Sequence, residues 1–491
     1  MVDYSFDSVH NGNFYGMGDF HSTGDFCKAN TGFQHHVNLT ASLPTGATAT
    51  NHKEVQPIHI AAIGGNVKAV EWLLEIEPQC VNLETADGTT PVMRAAQEGH
   101  AKIVKLLCDL NANVNATWKD CNRKAIHQAA QGGHTTVVDL LLKRGADPDP
   151  TDIHGTTPFW LACQGGHKDI VQMLLPKGVR TEPIADNGRT PLHQAAQNGH
   201  LEVVKILLGL DISIDPVSNG TTPLWSASQG GHYEIVKLLL DKGADCEPTS
   251  KDSSRRPIHQ AAQNGHFKVV KALLEAGALA SPEKDSFESK CPSPIYLAAQ
   301  SGHYDVAKIL LEYKADPNFV FRKNGTTPLL VAVHEKAVKT VELVLDHGAD
   351  VNCPDNDGWP PLMIAAQKGD SRMIYLLLSR GAAVNAEEKD GATALWIAAQ
   401  QGNAIVVSML LAANAKSLST KKSGRRPIHQ AAQNGHFAVV KLLVEHDESE
   451  VGMTDNDGAT PIGLAACGKE ANRLAMMKYL HSKGGILTQV L

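Results

Sequence analysis

The sequence predicts an all-α protein, an array of short helix pairs repeated along most of the chain. Three observations predict it. The stretch RRPIHQAAQNGHF occurs twice, at Arg255–Phe267 and Arg425–Phe437, and the offset of 170 residues is five times 34. Alignment on Ala-Ala pairs or their equivalents then finds thirteen copies, at Ala61, Ala95, Ala129, Ala162, Ala195, Ala227, Ala261, Ala298, Ala332, Ala365, Ala398, Ala431 and Ala465. Finally, 42% hydrophobic and only 5% aromatic residues, with 42 glycines, suit many small helices better than a few large cores. A chain of 491 residues exceeds one ordinary core, and a period near 34 marks a repeat array.

Residues 1–53 contain HNGNFYGMGDF and HSTGDF, rich in Gly, His, Asn and Phe without an apolar period, and are expected to be a disordered tail. The array is expected over 54–485, with 486–491 as a second tail. In DNGRTPLHQAAQNGHLEVVKILLGLDI, Gly188 suits a tight turn, Thr190 an N-cap and Pro191 the first helical turn, where a missing N–H costs nothing. A short Ala-rich helix then stops at Gly199, a left-handed position, and LEVVKILL places apolar residues at helical spacing. The ninth copy, VAVHEKAVKTVELVL, has Lys336 where that left-handed glycine belongs. With the longer spacer ASPEKDSFESKCPSP before the eighth copy, it marks an expected bend. The last copy, TPIGLAACGKEANRLAMMKYLHSKGG, has Lys469 in the stop position and a polar second helix, as expected of a C-terminal cap.

This unit resembles the ankyrin repeat. Its pattern G-TPLH-AA--GH--VV-LLL--GADVN is matched almost whole by Gly188–Leu208 and Gly325–Asn352 taken together, and the resemblance extends over nearly nine-tenths of the chain. It implies an ankyrin-repeat solenoid of paired antiparallel helices with β-turn fingers on one side, and partners bound along the fingers and the concave groove.

Composition narrows the function. A formal net charge of −7 gives no electrostatic reason to expect nucleic acid. Nine cysteines without CxxC spacing read as reduced thiols of the cytoplasm or nucleus. The N-terminus has no basic segment leading into an apolar run, and no apolar stretch is long enough to span a membrane. No HExxH, GxSxG, P-loop or Cys/His ligand spacing occurs, so no catalytic residue, metal or cofactor is expected. The DNDG segments at Asp355–Gly358 and Asp455–Gly458 lack the first and last ligands of a calcium loop. Of 23 histidines, five occupy the TPLH slot and eight the slot after the helix-ending Gly, where the resemblance implies structural hydrogen bonds; His35–His36 remains unexplained.

Comparison of the copies singles out a candidate partner-binding set. The residue before Thr-Pro or its equivalent is arginine at Arg123, Arg189, Arg255 and Arg425, and those copies alone carry His-Gln before Ala-Ala. Others carry an aromatic in the His slot: Trp160, Trp225, Tyr296 and Trp396. Duplication of a two-repeat block accounts for the alternation, yet four guanidiniums on exposed fingers would suit carboxylates or phosphates. The glutamine after Ala-Ala recurs in ten copies, with Gln131, Gln197, Gln263 and Gln433 beside those arginines. The resemblance places this row in the groove, where amides accept and donate without charge. Trp359 stands in the exposed finger slot of DNDGWPP, a residue type enriched at interface hot spots. Family resemblance also suggests Asn352 and Asn385, in GADVN and GAAVN, as asparagine hydroxylation sites.

These residues point to a non-enzymatic scaffold that binds extended or loop segments of other proteins, itself a monomer because a capped array has no need to self-associate. An adaptor recruiting substrates to an enzyme complex is the alternative. A polyanion reading, nucleic acid or acidic lipid, would rest on the arginines and on KKSGRR at Lys421–Arg426.

Overall fold

The computed structural model describes residues 56–182, 185–186, 188–218, 220–248, 255–281, 291–321, 323–467 and 473–486. The expected tail at 1–53, His35–His36, Lys469 and most of the spacer before the eighth copy lie outside them. Among the described residues there are twenty-six α-helices in thirteen consecutive pairs and no β-strand, only isolated bridges at Ser218–Thr221 and Phe321–Thr326.

One pair shows why the unit folds. Thr190 is extended (φ −89°, ψ 166°), Pro191 opens a helix that runs to Gln197, and Gly199 turns left-handed at φ +80° before Leu201–Leu207. The first helix buries every residue from Pro191 to Ala196, because it packs on its counterpart in the next repeat, Pro223–Gly230, and small alanines let backbones approach. The second helix buries only Val203, Val204 and Leu207, one stripe of a two-sided surface. Fully burying a Val or Leu contributes about 1.5–3 kcal/mol, so each pair is stable only with neighbours.

The helices group into two compact units, Met1–Ala162 with Asp169–Pro183, and Cys163–Lys168 with Ile184–Leu491. In the first, Pro57–Ile63, Pro91–Gln97 and Ala125–Gln131 stack in succession. In the second, Pro191–Gln197 packs on Pro223–Gly230, and the succession continues to Pro461–Cys467.

A histidine after the helix-ending glycine ties consecutive repeats. In the first unit, His100 reaches the Ile63 oxygen (2.8 Å) and His134 the Gln97 oxygen (3.0 Å). In the second, His200, His232, His266 and His303 reach the oxygens of Gln164, Gln197, Gln229 and Gln263 at 2.8–3.1 Å. The row then lapses. Ala337 and Asp370 fill the slot in the ninth and tenth repeats, Asn403 reaches the Ala366 oxygen in the eleventh, and His436 resumes it on the Gln400 oxygen. These rings pack on the corresponding glycine of the preceding repeat: a Cβ at Gly199 would lie 2.6 Å from the His232 ring, whereas one at Gly302, followed in the next repeat by Ala337 in place of histidine, would touch nothing within 4 Å. Lys336 adopts the left-handed conformation expected at its position (φ +57°), and its Nζ donates to the Lys368 oxygen.

Candidate functional site

The four arginines do not project freely. Arg123 is buried; its Nε donates to Asp152 Oδ2 at 2.9 Å and its Nη1 to Gln131 Oε1 at 2.9 Å. Arg425 repeats the arrangement, with Asp455 at 3.1 Å and Gln433 at 2.7 Å. Arg189 and Arg255 donate to Gln197 and Gln263 in the same way, and with Arg425 they are half-buried. The expectation of exposed finger arginines is corrected accordingly. Eight residues of helix rise only about 12 Å, so an arginine just before the N-cap and a glutamine at the helix end lie along one edge and can meet.

The glutamine row behaves as this pairing requires. All ten members are half-buried. Where the residue eight positions earlier is arginine, the side-chain oxygen has a donor. Where it is Trp359 or Ala392, the buried oxygens of Gln367 and Gln400 have no hydrogen bond among the described residues. Trp359 is itself buried, which corrects its expected exposure. Its main-chain N–H is held by Asp355 Oδ1, as that of Ala459 is by Asp455 Oδ1, so both DNDG segments use their first aspartate to close the finger turn.

Three of the five TPLH-slot histidines, His127, His193 and His429, are fixed at both ring nitrogens, whereas His59 Nδ1 is buried without a hydrogen bond among the described residues. His127 Nδ1 accepts from the Lys124 N–H and its Nε2 faces the Pro150 oxygen; His193 and His429 do the same with Thr190 and Thr221, and with Arg426 and Met453. An N–H on one side and a carbonyl on the other select the Nε2–H tautomer. Burial lowers His127 and His193 to about 4 and His259 to about 3. Where both nitrogens are engaged, as in His127, His193 and His429, the neutral ring holds its finger in place. Two of the four aromatics in this slot also bond across the junction, while Trp225 Nε1 has no hydrogen bond among the described residues. Trp396 Nε1 donates to the Arg425 oxygen at 3.1 Å, and Tyr296 Oη accepts from Thr326 Oγ1 at 3.1 Å.

Asn352 and Asn385 brace successive fingers. Each side-chain oxygen accepts a main-chain N–H of the next repeat at 2.7 Å (Ala383 and Lys416), and each amide donates to a main-chain oxygen, of Gly381 and Asn414, at 3.4 Å. The KKSGRR cations all have carboxylates within reach: Lys421 with Glu387 (3.6 Å), Lys422 with Asp390 (2.7 Å), Arg425 with Asp455 and Arg426 with Glu450 (2.9 Å).

Sequence reasoning missed the arginine–glutamine bond and the use of tryptophan as a histidine substitute. The signal for the first was present, as a constant spacing of eight in four copies.

The family model described as ankyrin repeats (3 copies) matches residues 29–118, 126–218, 210–284, 258–355, 349–421 and 413–489. Among solved structures, the crystal structure of the human ASB11 ankyrin repeat domain matches at 29% identity and a TM-score of 0.42, over 47% of this chain and 100% of that one. No curated protein matches.

Proposed function

The chain belongs to the ankyrin-repeat family, whose repeats are generally protein–protein interaction modules, and on that premise we propose that it is a non-catalytic scaffold binding partner proteins along its fingers and first helices. The observation that carries this reading is the glutamine row. Gln131, Gln197, Gln263 and Gln433 are each held by an arginine of their own repeat, which presents a preorganised amide edge, while Gln367 and Gln400 lack an internal donor. The preset geometry of the arginine-held amides reduces the ordering cost of binding. Arg189, Arg255 and Arg425 remain in the proposed surface as half-buried members; Arg123 and Trp359 do not. Hydrogen exchange on the chain bound to a co-purifying protein tests this. Protection of fingers and first helices is expected, and protection confined to second helices would overturn it.

The polyanion reading has less support, because each KKSGRR cation already has a carboxylate nearby. Asn352 and Asn385 are proposed hydroxylation sites. Their bracing bonds require the finger to open before an enzyme reaches Cβ, and peptides from native protein without an added oxygen at either residue would refute the proposal.

A further inference from the structure

The first helix pair has the side chains of an internal repeat, and no described residue precedes Gln56. Pro57 is exposed and Ala61, Ala69 and Leu73 are half-buried, whereas every repeat from the second to the twelfth buries the residues in those four positions. Ile60 is 54% exposed; its position is buried in every repeat from the fourth on, as at Leu161 and Gln194. The other side of the same two helices is closed. Ile58, Ala62, Val70 and Leu74 are buried where Pro57–Ile63 and Val67–Ile76 pack on Pro91–Gln97 and Ala101–Asp109 of the second repeat. The open face is therefore the one turned away from the second repeat, where a preceding repeat would stack. A terminal repeat meets water with a polar outer face, and Ile60, Ala69 and Leu73 do not supply one.

The chain immediately ahead carries what this face lacks. It provides 55 residues before Gln56, and the first family match begins at residue 29 rather than at the first described helix. Within 29–55, His35 stands before Gly46 and Ala47 at the spacing that separates His232 from Gly243 and Ala244. Leu39 and Leu43 follow that histidine by four and eight residues. Val70 and Leu74 hold the same places after Asn66, on the side that packs on the next repeat. Asn38 and Ser42 fall instead in the places of Ala69 and Leu73, the side that faces a preceding repeat. Pro44 corresponds to Pro176, each nine residues after its histidine, and Pro176 lies in the turn Leu175–Lys177 that ends a second helix. A helix in this register is apolar towards the first pair and polar on its far side, the pattern of a cap.

We infer that 29–55 forms an N-terminal half-repeat, in place of the expected tail, with a helix over 36–43 laid against Val67–Ile76. Leu39 and Leu43 cover Ala69 and Leu73, and the chain leading into the helix covers Ile60 and Ala61. His35 takes the position of the histidine ahead of a second helix, which accounts for its place in the sequence. The covalent link makes the contact intramolecular, so closure does not depend on chain concentration. A single helix buries few side chains, so the cap opens more readily than the repeats it covers.

Hydrogen exchange of the full chain, read by mass spectrometry, tests this. Amides of 36–47 should exchange at least about tenfold more slowly than in a synthetic peptide of 29–55, at every chain concentration. Leu39→Ser with Leu43→Ser should remove that protection and speed exchange in Val67–Ile76, while Ala125–Gln131 stays unchanged as the folding control. Asn38→Lys with Ser42→Lys should leave the protection within about twofold, because both side chains meet water. Exchange in 36–47 as fast as in the free peptide, protection that survives the leucine changes, or equal loss from the lysine changes would each overturn the inference. So would protection that appears only at high chain concentration or only with another protein present, which would give the face to a second copy or to a partner.

Discussion

The indole Nε1 of Trp396 donates to the main-chain oxygen of Arg425 at 3.1 Å, the bond that His193 Nε2 makes to the oxygen of Thr221 at the same distance. These two junctions therefore carry the same cross-repeat bond with different rings, and at several junctions histidine or tryptophan goes with a particular residue in the next finger. Threonine stands in the finger slot after His59 and His193; arginine stands there after Trp225 and Trp396. At these junctions the ring in the slot thus goes with the residue of the next finger, whatever duplication produced the pairing.

Trp396→Phe keeps the ring and removes the donor, leaving the Arg425 carbonyl without its indole partner. That carbonyl still accepts the Thr420 N–H at 3.0 Å, so the change should cost about 0.5–1.5 kcal/mol, read as a lower midpoint in urea unfolding with little change in slope. Trp396→His should recover part of the loss, since the imidazole supplies a shorter donor.

Arg123 and Asp152 form a buried ion pair, with side chains only 5% and 0% exposed. Arg123→Ala strands the carboxylate and should cost about 3–5 kcal/mol. Arg425→Ala should cost less, because that arginine is more exposed. A double-mutant cycle with Asp152→Asn should show strong coupling; independent effects would mean that the carboxylate serves mainly the finger turn.

Buried histidines set the acid limit. His127 and His193 titrate near 4 in the folded chain and His259 near 3, against about 6.5 unfolded. Below about pH 6.5 the unfolded chain binds protons that the folded chain refuses, so stability falls as pH falls from there towards 4. Each such ring contributes a slope of up to about 1.4 kcal/mol per pH unit. Urea unfolding between pH 7 and 4.5 measures it, and His193→Gln should flatten the dependence.

Gly199 and Gly302 share a left-handed backbone but not surroundings. Gly302→Ala should cost about 1 kcal/mol, the backbone penalty alone. Gly199→Ala adds a clash with the His232 ring and should cost clearly more. Equal effects would show that the ring yields without loss.

The fold was legible because its signals are local and repeated. Proline at the first helical position, Ala-Ala, and the glycine stop each dictate one feature of the pair, and thirteen copies leave little room for another reading. The surface was less legible, since exposure depends on what neighbouring repeats contribute. Arg123 reads as a finger residue until Asp152, 29 residues later, comes to lie against it. Trp359 reads as an anchor for a partner until its own surroundings bury it. Slot identity could be read from one repeat, and burial only from two.

The lapse in the histidine row after His303 bears on how the chain comes apart. In a linear array, cooperativity propagates only through nearest-neighbour coupling, and one weak junction shortens the distance over which repeats melt together. At the junction of the eighth and ninth repeats the imidazole is replaced by a methyl group and the next turn is closed by a strained lysine. Among the described residues, only the Tyr296–Thr326 hydrogen bond and the Tyr296–Phe321 ring contact then join side chains there. Denaturation of this stretch should therefore proceed in blocks with a domain wall at that junction, which hydrogen exchange in rising denaturant would reveal.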